Sequence, residues 1–352
     1  MSAAEPILSV RGLVTSLAPH LAAAGDHPPV DHVSFDVRQS GVLGLIGESG
    51  CGKSLTALSI MQLLPPDARQ IGGNIVFRGR DLSAFSETQM QAVRGRGIAM
   101  IFQEPATALS PVHTIGWQLN TALVALGKLP RRRLFESRRS EGRALASKLL
   151  SRVELPDPER ILDAYAHQLS AGMRRRVLIA LALAGEPALL IADEPTTGLD
   201  APIQSQIVDL IARLTREGGM SAIVISHDLG AVAEIATDLV VMYAGQVVEA
   251  GPASSVRSEP QHPYTLSLYN GVRRLEGPRR PAGRDASPGA RNADRGSGVT
   301  SGCRFAGSCP QRRSGPQDFP LCILEAPELS PSQARHRARC FYPRLEPGEE
   351  HE

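Results

Sequence analysis

Gly47-Glu48-Ser49-Gly50-Cys51-Gly52-Lys53-Ser54 fits the pattern G-x-x-x-x-G-K-[ST] at every fixed position. Its flanks have the form that pattern needs. Gly41 to Ile46 reads as a short buried strand, and Leu55 to Met61 as an apolar helix. In such a strand–loop–helix unit, backbone N–H groups of the loop and the helix N-terminus cradle phosphate oxygens. Residues 47–52 form the cradle, Lys53 reaches the β- and γ-phosphates, and the Ser54 hydroxyl binds Mg²⁺. A chance glycine-rich turn has no reason to carry both flanks. The stretch predicts a nucleotide-binding α/β protein of the P-loop NTPase class.

Working outward, Ala188 to Ala192 is an unbroken apolar run that ends in Asp193-Glu194. A run of this kind suits a parallel strand buried on both faces. Ligands of open α/β sheets collect at the carboxyl ends of strands, so both acids are expected to face the phosphates. Asp193 would hold Mg²⁺, and Glu194 would polarise the attacking water as general base. Without the P-loop, the same two acids would read as solvated turn residues. Upstream, Leu169-Ser170-Ala171-Gly172-Met173-Arg174 opens a helix that continues to Leu183. A Ser hydroxyl beside small residues at a helix N-terminus makes a second anion site. Two such sites in one chain imply that two copies share each nucleotide.

With these pieces the chain resembles the ATP-binding subunit of an ABC transporter, whose signature is commonly Leu-Ser-Gly-Gly-Gln. Here Ala171 replaces the first glycine of the pair, adding a methyl where the partner's γ-phosphate would lie; Ser170 and Gly172 remain. The resemblance implies further roles in order along the chain. Gln103, in Met100-Ile101-Phe102-Gln103-Glu104-Pro105, matches the loop glutamine that touches Mg²⁺ or water and faces the membrane subunits. Asp200, in Thr196-Thr197-Gly198-Leu199-Asp200, matches the aspartate at the dimer seam. His227, after Ile223-Val224-Ile225-Ser226, matches the switch histidine at the γ-phosphate; alone, a histidine after a strand is more often structural. Members of the family usually stack adenine on an aromatic residue upstream of the P-loop. The segment from Thr15 to Asp31 holds no Phe, Tyr or Trp, leaving His20, His27, His32 or apolar contacts for that task.

Composition agrees with this reading. The 352 residues are 42% hydrophobic, enough for one α/β core and an accessory domain. A net charge of +2 gives no electrostatic case for nucleic acid. The N-terminus lacks a basic-then-apolar signal pattern, and apolar runs such as Val177 to Gly185 stop far short of the roughly 20 residues of a span. The expectation is a chain peripheral to the cytoplasmic face of the cell membrane. The expected organisation is an ATPase domain over residues 1–260, with a helical subdomain at about 106–170, and an extension over 261–352. Arg131-Arg132-Arg133 and Arg138-Arg139 in the helical region read as a solvated face.

The extension carries its own signals. His262-Pro263-Tyr264-Thr265 resembles the element opening the C-terminal extension of oligopeptide, dipeptide and nickel importer ATPases, and Tyr165-Ala166-His167-Gln168-Leu169 fits the same group. A linker rich in Gly, Pro, Arg, Ser and Asp runs from about Gly277 to Gly298. Beyond it lies Cys303-x5-Cys309-x12-Cys322-x17-Cys340, while Cys51, the fifth cysteine, sits in the P-loop. Four thiolates suit tetrahedral Zn²⁺ or a four-cysteine iron–sulfur cluster, and free thiols remain a third reading. The spacing lacks the C-x2-C of common zinc ribbons, and the resemblance implies a [4Fe-4S] cluster with a structural role. Cys51 could be reactive at a helix N-terminus; the plainer expectation is that only a small side chain fits there.

The resemblance thus implies an ATP- and Mg²⁺-dependent importer ATPase. Its partners would be a second ATPase subunit (the same or a related chain), two transmembrane permease subunits and an extracytoplasmic substrate-binding protein. The alternative is a soluble ATPase of the carbon–phosphorus lyase accessory type, against which the four-cysteine extension argues.

Overall fold

The computed structural model describes residues 5–17, 27–103, 108–130, 139–276, 301–314, 320–333 and 335–343. The linker expected at 277–298, the basic cluster at 131–133 and 138, and His20 lie outside them.

Two sheets frame the core. The first is antiparallel, in the order β2-β1-β4-β5: β1 is Leu8–Leu17, β2 Val30–Val37, β4 Ala68–Phe77 and β5 Arg80–Asp81. β1 is its spine, pairing Leu8 with Val37 on one side and Leu8 with Phe77 on the other. The second sheet has eight strands and carries the chemistry. Its centre is parallel: β9 (Asp238–Tyr243), β3 (Val42–Ile46), β8 (Ser221–Ser226), β7 (Leu189–Asp193) and β6 (Ile98–Ile101).

All residues of β3, β7 and β8 are buried, as continuous apolar runs between covered faces should be. The two-residue period still operates within them. In β7, Leu189 and Ile191 pack toward the antiparallel sheet, whereas Leu190 and Ala192 pack toward the helices. The P-loop strand behaves likewise, with Leu43 and Leu45 on one side and Val42 and Ile46 on the other.

The helices take their boundaries from local chemistry. α1 (Lys53–Met61) grows out of the P-loop. α2 (Glu87–Val93) starts in a capping box, with Ser86 and Gln89 each satisfying the other's backbone N–H. In the helical region, α3 (Ile115–Ala125), α4 (Arg139–Arg152) and α5 (Pro158–Asp163) bury Leu119, Leu123, Ala146, Leu150 and Ile161 in the common core. α6 (Ala171–Leu183) begins just after Ser170, whose hydroxyl accepts from the Met173 amide at 3.2 Å. α7 (Ala201–Gly218) has Pro202 in its first turn and ends at Gly219 in the left-handed conformation. α8 (Leu229–Ile235) is capped by Asp228.

The end of the chain joins the same sheet. β10 (Gln246–Pro252) forms a hairpin with β9. Beyond it come α9 (Ala253–Ser258) and α10 (Pro263–Glu276), then two short helices, α11 (Pro310–Ser314) and α12 (Leu321–Leu324). Strand β12 (His336–Ala338) then pairs with β10, and β11 (Ser330–Gln333) with β12, so the sheet runs on across residue 260. The joint is polar as well as apolar. The buried Glu249 carboxylate accepts from the amides of Gln261 and His262 and lies 2.6 Å from His336 Nε2.

Candidate nucleotide site

Strand order builds the site. β3, β8, β7 and β6 are neighbours in that order and all parallel, so the segments leaving their carboxyl ends stand in a row. Those segments carry the P-loop, His227, Asp193-Glu194 and Gln103.

The loop can adopt its path because two positions lack a Cβ. A Cβ on Gly52, at φ 102°, would lie 2.1 Å from the Pro29 carbonyl oxygen, and one on Gly47 2.3 Å from that of Met242. Lys53 is buried, and its Nζ donates to the carbonyls of Gly47 at 2.7 Å and Glu48 at 2.8 Å. The ammonium therefore closes the loop on itself, at the mouth where phosphate oxygens would compete for it. Cys51 is buried, and burial pushes its thiol pKa up against the pull of Lys53. The plain reading of that cysteine suits its surroundings.

Ser54 Oγ donates to Asp193 Oδ1 at 3.1 Å. Asp193 is buried, and burial, with Glu194 adding to it, raises its carboxyl pKa against the Ser54 hydrogen bond. A buried carboxylate beside a second acid and a hydroxyl is an oxygen donor set that a divalent cation would relieve, so these residues fit Mg²⁺.

Glu194 is the hub. Its backbone is left-handed at φ 45°, held by its amide donating to the Ile225 carbonyl at 3.0 Å. One carboxylate oxygen accepts from Gln103 Nε2 at 3.1 Å and from Thr197 Oγ1 at 2.7 Å. The other is 3.7 Å from His227 Nδ1, on a side chain 56% exposed. The structure thus brings together Gln103, Asp193, Glu194 and His227 with Lys53 and Ser54.

Ser170, Ala171 and Asp200 do not join that cluster; all three face solvent. Gly172 is buried against α7, where a Cβ would come within 2.9 Å of Ile203 Cγ2. Asp200 precedes α7 without a side-chain cap bond, while Gln204 secures its loop by donating to the Leu199 carbonyl at 2.9 Å. His27 and His32 are exposed, and His32 Nδ1 lies 2.6 Å from Asp31 Oδ1. Burial raises the Asp31 carboxyl pKa, but hydrogen bonds from His32 and Gln246 and the Arg304 guanidinium outweigh it and hold it low.

Sequence reasoning missed three contributors. Thr197 is one. Arg175 is another: fully buried, it donates to the carbonyls of Phe102 and Gln103, each at 3.3 Å, and so ties the signature helix to the glutamine loop. Burial lowers its pKa. A signal existed, since Arg175 stands three residues after Gly172 and four before Ile179, on the buried face of α6. The third is Tyr264, whose hydroxyl accepts from the Glu48 amide at 2.9 Å.

Cys303, Cys309, Cys322 and Cys340 line one cavity, with His262 and Phe305 in its wall. The Cys303 amide donates to the Cys322 carbonyl at 2.8 Å. Burial, aided by the neighbouring cysteines, raises the Cys322 and Cys340 thiols to about 11 and about 12. Among the described residues, no three or more His, Cys, Asp or Glu side chains are grouped so as to hold one metal ion.

Residues 30–197 match the ABC transporter family, and residues 248–315 the C-terminal region of oligopeptide/dipeptide transporters. A probable peptide ABC transporter ATP-binding protein of Sinorhizobium fredii is 45% identical over 88% of this chain and 88% of its own. The chain belongs to the ATP-binding subunits of ABC transporters. It is an ATPase of that family. The dipeptide transport ATP-binding protein DppD of Bacillus subtilis is 42% identical, again over 88% of each chain. Among solved structures, cbiO1 of Clostridium perfringens superposes with a TM-score of 0.60 at 24% identity, over 77% of this chain and 95% of its own. That likeness establishes the cassette fold for this ATPase.

Proposed function

We propose that this ATPase powers an importer for peptides or related small solutes such as nickel chelates. The observation that carries the reading is the row of Lys53, His227, Asp193-Glu194 and Gln103 along four adjacent strand ends, in a chain that also matches the peptide-importer C-terminal region. The relatives' names, a probable peptide transporter subunit and a dipeptide transport subunit, point the same way. They do not favour the carbon–phosphorus lyase type of soluble ATPase.

The P-loop amides and Lys53 would bind the phosphates of ATP, with Lys53 exchanging its hold on the Gly47 and Glu48 carbonyls for the β- and γ-oxygens. Ser54, Asp193 and Gln103 would hold Mg²⁺, which supplies charge neutralisation at the transferring phosphoryl group. Glu194 acts as general base toward the attacking water once Gln103 and Thr197 share its carboxylate with that water. His227, exposed beside Glu194, contacts the γ-phosphate. The exposed Ser170, Ala171 and Asp200 meet the nucleotide on a second ATPase subunit, identical or related. ATP binding thereby closes the dimer.

Closure is passed to two transmembrane permeases near Gln103 and the helical region, where Phe102, Val112, Trp117 and Tyr165 are exposed. An extracytoplasmic binding protein delivers the solute. No helix among the described residues is long and apolar enough to cross a membrane. As an importer's ATPase the chain would sit peripherally at the cytoplasmic face, with its permeases in the inner membrane. The four-cysteine cavity is the place for an iron–sulfur cluster. Cys303, Cys309, Cys322 and Cys340, which line it, would hold that cluster, or Zn²⁺, as thiolates.

The test is affinity purification of the tagged chain from detergent-solubilised membranes, with mass spectrometry of co-purifying proteins. Two multi-span proteins and a second ATPase are expected. Only soluble enzymes among them would sink the importer reading.

A further inference from the structure

Glu48 is held from two sides. Its carbonyl accepts from Lys53 Nζ inside the P-loop, and its amide donates at 2.9 Å to a hydroxyl 216 residues further on, Tyr264. That tyrosine is 2% exposed and opens α10 in the extension. Its ring is fixed by other aromatics. Tyr243 lies with centroids 4.7 Å away, and Phe305 packs edge-on at 5.4 Å. Phe305 is also a wall of the four-cysteine cavity. Next to Phe305, Arg304 donates to the Ala244 carbonyl and pairs with Asp31. The Asp31 amide in turn donates to the Gly245 carbonyl, and the Gly245 amide to the Cys51 carbonyl. A continuous set of contacts therefore runs from the extension to two points of the P-loop, Glu48 and Cys51.

We propose that Tyr264 is a positioning residue of the nucleotide site: its buried hydroxyl orients the Glu48 peptide, so the C-terminal extension sets P-loop geometry and with it ATP affinity. The proposal rests on residues 47–54 being the phosphate site. A P-loop binds through the aim of its backbone amides, and a peptide free to rotate spoils that aim for its neighbours. The hydroxyl suits the task because it accepts without charge. Burial, with Glu48 adding to it, raises its pKa and keeps it neutral at any working pH.

Tyr264→Phe retains the ring and its packing on Tyr243 and Phe305 and removes only the hydroxyl. A neutral hydrogen bond is worth about 1 kcal/mol, so the variant should bind a fluorescent ATP analogue about fivefold more weakly. KM for ATP should rise by a similar factor while kcat stays within about twofold, because no reacting group is altered. Tyr264→Leu, which also loses the ring, should lower the melting temperature while weakening ATP no further than Phe does. Wild-type affinity in Tyr264→Phe would overturn the proposal, as would weakening seen only in Tyr264→Leu, which assigns Tyr264 to packing alone. Amide hydrogen exchange on the unaltered, nucleotide-free chain gives a check that needs no variant. The Glu48 amide should be protected, and exchange at the rate of an open loop refutes the restraint. Lys53→Ala, run alongside, separates the two claims: full ATP binding there would remove the phosphate-site reading itself, whatever Tyr264 does.

Discussion

The two halves of the nucleotide machinery contrast in what supports them. On the P-loop side, Lys53, Asp193 and Glu194 are buried, and each already has a partner within the chain: two loop carbonyls for Lys53, Ser54 for Asp193, and Gln103 and Thr197 for Glu194. On the signature side, Ser170, Ala171 and Asp200 are exposed at the starts of α6 and α7, and the Asp200 side chain caps nothing. Burial makes charged groups costly to leave unpaired, so a chain that must fold before it meets ATP satisfies the buried half internally. The exposed half has no such constraint. Its side chains would stay hydrated until another subunit brings a surface, with the Ser170 hydroxyl meanwhile capping α6. On the proposed function, the difference teaches that binding would belong to one chain and turnover to an assembly.

That contrast can be broken most severely at Glu194. Glu194→Gln keeps the shape and a hydrogen-bonding oxygen but loses the base, so turnover should drop about a thousandfold while ATP affinity stays. Hydrolysis assays beside equilibrium binding measure both, and persisting turnover would remove Glu194 from the general-base role. Lys53→Ala attacks the binding half itself. ATP affinity should fall about a hundredfold, read by isothermal titration, because a charged group is withdrawn from the phosphates.

Asp193 sharpens the comparison through pH. Its carboxyl is held above the ordinary range, so in that window the folded chain binds more proton than the unfolded one. Its contribution to stability is therefore fullest in acid and declines as pH rises through the raised value. At neutral pH the nucleotide-free Asp193→Asn variant should melt no lower than the parent, and in acid the two should converge. Mg²⁺ with ATP should raise the parent's melting temperature, by about 2.7 kcal/mol of stability at a hundredfold excess over Kd, and the variant's far less. Scanning calorimetry across pH checks both halves of the statement. The smallest effect belongs to the signature. Ala171→Gly, which removes a methyl from the exposed face, should raise ATPase turnover of the assembled complex by about two- to threefold. A decrease would mean that helix propensity at this position outweighs space.

Much of the binding half was legible in the sequence because it is local. Gly47 to Ser54 encode a loop whose shape depends on glycines within eight residues, and the apolar runs before Asp193 and His227 dictate strands buried on both faces. Local pattern also placed Ser170 at a helix start, with the helix proper beginning one residue later. What escaped was carried by contacts between distant segments. Arg175 reaches carbonyls 73 and 72 residues away, and Tyr264 an amide at 216. No spacing rule links such positions. The tail strands escaped for another reason. Ser330–Gln333 and His336–Ala338 are too short and too polar to show a two-residue period, and their strand character comes from the open edge of β10. Thr197 was within reach, since a hydroxyl three residues after an acid can fold back on it.

The most direct test of the divided site is Ala171→Arg, a large side chain at an exposed position. It should be measured twice, as ATP affinity of the purified chain and as ATP turnover of the assembled complex. Unchanged affinity with turnover reduced at least thirtyfold is the result this account predicts. Turnover near the parent's value would show that the exposed signature meets no nucleotide, and a matching loss of affinity in the isolated chain would show that binding is not confined to the P-loop half.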